Sequence, residues 1–132
     1  MRRYLVVLLV AAAALVGAKA YAHHSFAATY LEDQTVTVEG ELVQFLFRNP
    51  HSFVHLNVRE KDGKTVRYAV EWGGAGQLQG QGVTRETLKI GDVVKITGSP
   101  GRNPKDHRIR MQFLERPKDG YSYGRRPGET VD

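Results

Sequence analysis

The chain of 132 residues contains no cysteine. This absence excludes a disulfide framework, a thiolate metal site and a cysteine nucleophile. A phosphate-binding loop is also missing, because the glycine-rich segment 73–76 lacks the lysine that such a loop needs. A chain of this size without disulfides has to be stabilised by a hydrophobic core, so a single domain is expected.

The one long apolar run lies at the N-terminus, over residues 4–18. Two arginines precede it, and small residues follow it at Ala18, Ala20 and Ala22. This order is typical of a secretory signal peptide, and the run is shorter than the roughly 20 residues that a membrane-spanning helix needs. We therefore predict a signal peptide over residues 1–22, a periplasmic or secreted protein, and no stable membrane anchor after processing.

A strong net charge is lacking once the signal peptide is removed. Cleavage takes Arg2, Arg3 and Lys19 from the 19 basic residues and leaves 16 against 14 acidic ones, so the net charge falls from +5 to +2. The remaining basic residues are concentrated over 102–126. A solvated face explains them better than nucleic-acid binding does, so no nucleic-acid partner is expected.

Alternation of apolar and polar residues predicts five strands. Their ranges are 34–47, 52–59, 66–72, 93–97 and 108–114, with a short helix or turn within 73–82. In the first strand the apolar parity changes at Gly40, which predicts a bulge or bend that lets one strand serve two sheets. This pattern is all-β and favours a small five-stranded OB-like Greek-key barrel over a β-sandwich. The barrel domain is expected over 34–115, after an N-terminal arm (23–33) and before a flexible tail (116–132).

Four of the five histidines fall in two close pairs. His23 and His24 lie next to the cleavage region, and His51 and His55 flank the start of the second strand. His51 and His55 share a strand parity, so a metal site with nitrogen and oxygen ligands becomes possible if Glu71 lies across the hairpin on that face. These five residues are the predicted metal ligands. Each histidine also fits a plain structural role in the arm, the turn or the strand surface.

Two cleavage positions satisfy the requirement for small residues, and they predict different metal sites. Cleavage after Ala22 makes His23 the first residue, so its amine and imidazole can chelate one ion, as in histidine-brace copper sites. Cleavage after Ala20 places His23 third from the amine, which suits a square-planar Cu(II) or Ni(II) site. In both cases the new α-amino group is a ligand, so the site exists only after processing.

No catalytic constellation can be read from the sequence. Ser25 lies near two histidines, but no residue is placed to orient it as a nucleophile. Glu39 and Glu41 share a strand face, which a solvated surface explains better than an acid–base pair. The sequence therefore predicts a protein that is not an enzyme.

Several short motifs resemble those of a bacterial family of small exported proteins of unknown function. They are His-His-Ser-Phe at 23–26, Asn-Pro-His at 49–51, a strand that bears Glu71, Gly-Val-Thr-Arg at 82–85 and Leu-Lys-Ile-Gly-Asp at 88–92. The resemblance covers residues 22–115. It implies export and a compact β domain, and it favours functional roles for His23, His24 and His51.

Two functional hypotheses follow. The first is a periplasmic binding protein whose histidines, with the processed amine, bind a transition metal such as Cu(II). The alternative is an OB-like module that binds a saccharide, peptide or protein partner of the cell envelope through the face of Phe53, His55 and Arg67. Dependence of ligand binding on His23 and His24 distinguishes the two. The sequence leaves the oligomeric state open.

Overall fold

The computed structural model describes residues 1–4, 6–7 and 26–130. The strands in these ranges are β1 (Val36–Leu46), β2 (Phe53–Arg59), β3 (Thr65–Glu71), β4 (Val93–Pro100), β5 (Arg108–Arg116) and β6 (Tyr121–Gly124). Helix α1 (Ala75–Gly80) connects β3 to β4, and a single 3-10 turn (Pro104–Asp106) connects β4 to β5. The predicted signal peptide lies mostly outside the described residues. Among those that are described, no helix has the length and apolar character to span a membrane.

Five of the strands close into a barrel. β1 pairs antiparallel with both β2 and β4, β2 pairs with β3, and β4 pairs with β5. A parallel pairing of β3 with β5 completes the circle, with Ala69 opposite Arg108 and Glu71 opposite Arg110. This strand order confirms the predicted five-stranded OB-like Greek-key barrel with a short helical connection.

A bend in β1 allows this strand to pair with two neighbours. Its first half pairs with β4 up to Glu41, and its second half pairs with β2 from Gly40 onward, with a register shift between Leu42 and Gln44. A Cβ atom at Gly40 would lie 2.5 Å from the carbonyl oxygen of Asn57 on β2. Glycine therefore permits the close approach that the bend requires, as the change of parity in the sequence predicted.

The barrel interior contains the apolar residues that alternate along the strands. Val54, Leu56 and Val58 of β2 are buried, as the sequence pattern predicted. Trp72, which follows β3, is 5% exposed and belongs to the same core cluster. The opposite face of β2 carries Phe53, His55 and Asn57, so this face is left to form the outer surface of the barrel.

The C-terminal segment differs from the flexible tail expected over 116–132. Its residues 121–124 form β6, which pairs antiparallel with the end of β5. Tyr121 and Tyr123 pack against the core, and the ring of Tyr123 meets that of Trp72 edge-to-face at 4.8 Å. A strand of four residues with two tyrosines is too short to give a clear period. Its pairing with β5 and its aromatic contacts stabilise it.

Arg116, the last residue of β5, joins this strand to two turns. Its guanidinium donates hydrogen bonds to Asp92 Oδ2 at 2.9 Å, to Asp119 Oδ2 at 2.8 Å and to the Thr87 carbonyl at 2.8 Å. Burial by itself would raise the pKa of Asp92, but hydrogen bonds from the Lys89 backbone N–H and from Arg116 outweigh it and lower that pKa. The Asp92–Arg116 pair is therefore a stabilising contact when Asp92 is ionised.

We expect Gly40→Ala to destabilise the barrel by about 1–3 kcal/mol, because the added methyl group collides with the β2 backbone. The matched control is Gly80→Ala at the end of α1, where an added Cβ meets no atom within 4 Å. Denaturant unfolding followed by circular dichroism measures both. Equal unfolding midpoints for Gly40→Ala and the wild type would contradict the role of Gly40.

Asp92→Asn should cost about 1–2 kcal/mol near neutral pH and make stability less sensitive to acid. Since the folded-state pKa of Asp92 is lowered, its contribution is present above its ordinary value of 3.8 and is lost as the pH falls through the folded-state pKa. Unfolding free energies measured between about pH 6 and pH 3 should therefore fall less steeply in the variant. Asp33→Asn, at an exposed position, is the control for loss of one charge. Parallel pH profiles for Asp92→Asn and the wild type would contradict this prediction.

Candidate functional site

Glu71 is a buried acidic residue at the end of β3. It lies opposite Phe53 in the β2–β3 register, on the outer face of the hairpin, yet it is only 8% exposed. The expected position of Glu71 across the hairpin, on the face that carries His55, is therefore found. A buried carboxylate is costly unless charged or hydrogen-bonding groups surround it.

Three side chains surround this carboxylate, and together with it they form what we call the Glu71 cluster. The Tyr30 hydroxyl donates a hydrogen bond to Oε2, and Nδ1 of His51 contacts Oε1. The guanidinium of Arg108 donates to Oε2 at 3.4 Å. Burial, followed by the bond to Glu71, raises the pKa of Tyr30 above its ordinary value of 10. The tyrosine therefore stays protonated and acts as a hydrogen-bond donor.

The N-terminal arm brings Tyr30 to the cluster. Residues 26–29 form a helical turn, and Tyr30 then makes an isolated β-bridge with Gly101. The Leu31 N–H donates to the Pro100 carbonyl at 2.9 Å, and the Arg102 side chain donates to the Ala27 carbonyl at 2.7 Å. Because these bonds attach the arm to the barrel, Tyr30 is only 1% exposed and closes one side of the cluster.

The loop between β1 and β2 brings His51 to the cluster. Ser52 is buried and extends the ladder beyond β2, since its backbone bonds to Trp72 at 2.8 Å and to Gly73 at 3.0 Å. A Cβ atom at Gly74 would lie 2.5 Å from the carbonyl oxygen of Pro50. This glycine therefore allows the loop to lie directly against the segment that follows β3, and His51 is placed beside Glu71.

The ring of His51 is oriented by its neighbours. An ionised carboxylate only accepts hydrogen bonds, so in a neutral imidazole this contact favours the tautomer with the proton on Nδ1 and a lone pair on Nε2. Phe26 stacks on the imidazole with ring centroids 5.5 Å apart and planes 13° from parallel. The Arg110 guanidinium lies 3.7 Å from the centre of the Phe26 ring. The His51 side chain remains 40% exposed, so Nε2 belongs to a fixed ring that solvent can reach.

A cleft of about 420 Å³ opens beside the imidazole. Its lining includes Phe26, His51, Trp72, Gln77, Met111 and Tyr123. The indole Nε1 of Trp72 is buried and has no hydrogen-bond partner among the described residues. The cleft gives a ligand on His51 access from solvent, with aromatic walls on two sides.

The structure brings together two of the five predicted metal ligands. His51 and Glu71 are in contact, whereas His55 lines a different groove with Phe53 and Arg48. His23 and His24 lie outside the described residues. Within residues 26–130, no three histidine or acidic side chains form a group that could hold a metal ion.

Sequence reasoning missed Tyr30, Arg108 and the stacking partner Phe26. Phe26 belongs to the His-His-Ser-Phe motif, so the sequence indicated a functional role for this residue. It did not indicate which residue Phe26 contacts. Tyr30 lies in an arm without a periodic pattern, and Arg108 begins a strand whose polar face looks solvated. Their roles depend on contacts with residues 37 to 41 positions away in the chain.

Comparison with known proteins identifies the family of this chain. No curated protein matches the sequence. The model of a family of unknown function, DUF6152, matches residues 10–110, which include the arm, the Asn-Pro-His loop, all of β1 to β4 and the start of β5. Since the match extends over most of the chain, this protein belongs to the DUF6152 family of unknown function.

Proposed function

We propose that this protein is an exported, non-enzymatic binding protein that holds a transition metal ion, Cu(II), on His51 and on the histidines of its processed N-terminus. The observation that carries the proposal is the orientation of His51. Its Nδ1 is engaged by the buried Glu71, so Nε2 is left as a fixed and accessible nitrogen ligand.

The contact between Glu71 and His51 has the form of the outer shell of a metal site. Histidines that ligate metals commonly donate their second ring N–H to a carboxylate, which fixes the tautomer and makes the ligating nitrogen more basic. The carboxylate of Glu71 also accepts hydrogen bonds from Tyr30 and Arg108. We therefore assign Glu71 to orienting His51 and leave direct ligation to nitrogen atoms.

The short chain between His24 and Phe26 supports a role for the N-terminal histidines in this site. Phe26 stacks on the His51 ring, and His24 precedes Phe26 by two residues. Consecutive Cα atoms are about 3.8 Å apart, so two residues of chain before Phe26 span no more than about 8 Å. A histidine side chain attached there can approach Nε2 of His51.

The ligand set favours copper among the divalent metals. Imidazole nitrogens and a free amine suit Cu(II), which binds most tightly in the first-row series. Cleavage after Ala22 supplies the amine of His23 itself, and cleavage after Ala20 supplies a site with His23 in third position. His55 is left out of the proposed site because it lines another groove, where burial, Arg67 and Arg48 lower its pKa.

We expect the processed chain to bind one Cu(II) ion and His51→Ala to weaken that binding at least about tenfold, because one nitrogen ligand is lost. Isothermal titration and electron paramagnetic resonance of chains that begin at Tyr21 or at His23 measure the affinity and the nitrogen ligation. His107→Asn is the matched control, since asparagine tolerates the left-handed conformation at this position (φ 45°). Equal loss in both variants, or no Cu(II) binding by either chain, would overturn the proposal.

Glu71→Gln should also weaken Cu(II) binding, by about 10-fold to 100-fold, although Glu71 does not contact the metal in this proposal. The amide keeps the size of the side chain but removes the charge that orients the His51 N–H. Tyr30→Phe offers a milder variant that keeps the ring and removes one hydrogen bond to the carboxylate. Thermal melting checks that each variant folds. Full copper affinity in a folded Glu71→Gln protein would contradict the orienting role.

A further inference from the structure

A second groove lies on the outer face of the barrel, away from the imidazole cleft. It has a volume of about 590 Å³, and we call it the Arg48 groove. Its lining residues are Leu46, Arg48, Phe53, His55, Ala69, Asp106 and Arg108. Ala69 lies directly opposite His55 in the β2–β3 register. A small residue between larger neighbours forms the floor of the groove.

Two guanidinium groups from distant parts of the chain contact the same aromatic ring in this groove. The Cζ atom of Arg48, which follows β1, lies 5.6 Å from the centre of the Phe53 ring. The Cζ atom of Arg108, at the start of β5, lies 5.8 Å from the same ring. Both side chains are thus in cation–π contact with one aromatic residue that lines the groove.

Carboxylates do not neutralise these two charges fully. Arg48 has no ion-pair partner in the part of the chain that the structure describes. The guanidinium of Arg108 lies 3.4 Å from Oε2 of Glu71, but the same carboxylate also accepts a hydrogen bond from Tyr30 and contacts Nδ1 of His51. Arg108 Nε is buried and lacks a hydrogen-bond partner among the same residues.

The remaining groups around the groove keep it positive. Arg67, on the same face, bonds to the neutral amide of Asn57 at 3.0 Å. Asp106 is the one carboxylate in the groove lining, and its Oδ1 accepts a hydrogen bond from Asn103. On this face, burial, Arg67 and Arg48 lower the pKa of His55.

The backbone around Arg48 is also fixed. Its N–H donates to the Ser52 hydroxyl at 3.2 Å, and its carbonyl accepts from the Ala75 N–H at 3.0 Å. Ser52 itself is fully buried. The backbone of Arg48 is held by hydrogen bonds and its guanidinium contacts an aromatic ring. Such a side chain loses less conformational entropy on binding a ligand than an arginine on a mobile loop does.

From this arrangement we infer that the Arg48 groove binds a small organic oxyanion, a carboxylate or a phosphate ester, whose charged group bridges Arg48 and Arg108 over Phe53. Guanidinium groups recognise carboxylate and phosphate through paired hydrogen bonds. The body of the ligand lies over Ala69, between Phe53 and His55. The volume falls within the range of pockets for small molecules, about 300–1,000 Å³. This site shares Arg108 with the Glu71 cluster, but it requires neither metal nor N-terminal processing.

The test uses the metal-free processed chain and two probes, inorganic phosphate and citrate, at constant ionic strength. Nuclear magnetic resonance follows the ring signals of Phe53 and His55 during each titration. We expect at least one probe to shift these signals saturably in the wild type, and Arg48→Gln to weaken that binding about tenfold or more. Arg48→Lys should recover only part of it, because an ammonium group lacks the paired geometry.

Arg125→Gln is the matched control, since it removes the same charge from an exposed position in the tail. Its affinity for either probe should equal that of the wild type. Preference for phosphate or for citrate identifies the class of anion and supports the inference in either case. The absence of saturable shifts with both probes, or equal weakening by Arg125→Gln and Arg48→Gln, would overturn it.

Discussion

The buried carboxylate of Glu71 is the contact on which the organisation of this protein depends. A charge that is 8% exposed cannot be left without partners, and its partners come from three separate regions. The arm supplies Tyr30, the β1–β2 loop supplies His51, and β5 supplies Arg108. Each of these regions is therefore held at one end of the barrel by the same group. The orientation of the accessible imidazole follows from that arrangement.

The geometry of the barrel makes this meeting possible. Parallel pairing of β3 with β5 places Arg108 beside the strand that ends in Glu71. The bend of β1 at Gly40 turns the chain so that Asn49 to His51 reach the end of the β2–β3 hairpin. Arg108 then takes part in both proposed sites, because its guanidinium contacts Glu71 on one side and the ring of Phe53 on the other. The proposed metal site and the proposed anion groove are therefore linked through Arg108.

Much of the fold could be predicted from local patterns. Alternating residues on β2 predicted its buried face, and the parity change at Gly40 predicted the bend. The strand β6 was not predicted, because Tyr121 and Tyr123 provide only two apolar positions. For the site, histidine and glutamate types suggested His51 and Glu71 as candidates. The sequence predicted that Glu71 and His51 would each be a metal ligand. In the structure the Glu71 carboxylate contacts Nδ1 of His51 directly.

By itself the sequence determined the β-barrel, the buried face of β2 and the residues capable of ligating a metal, because periodicity and side-chain chemistry are local properties. Only the tertiary structure decided which of those residues meet. It placed His55 in a different groove from His51 and Glu71, buried Tyr30 against the carboxylate and brought both Arg48 and Arg108 into contact with the Phe53 ring. These contacts join residues far apart in the chain. These contacts form because the barrel closes through the pairing of β3 with β5 and because a buried charge needs partners. Neither cause is visible in a local sequence pattern.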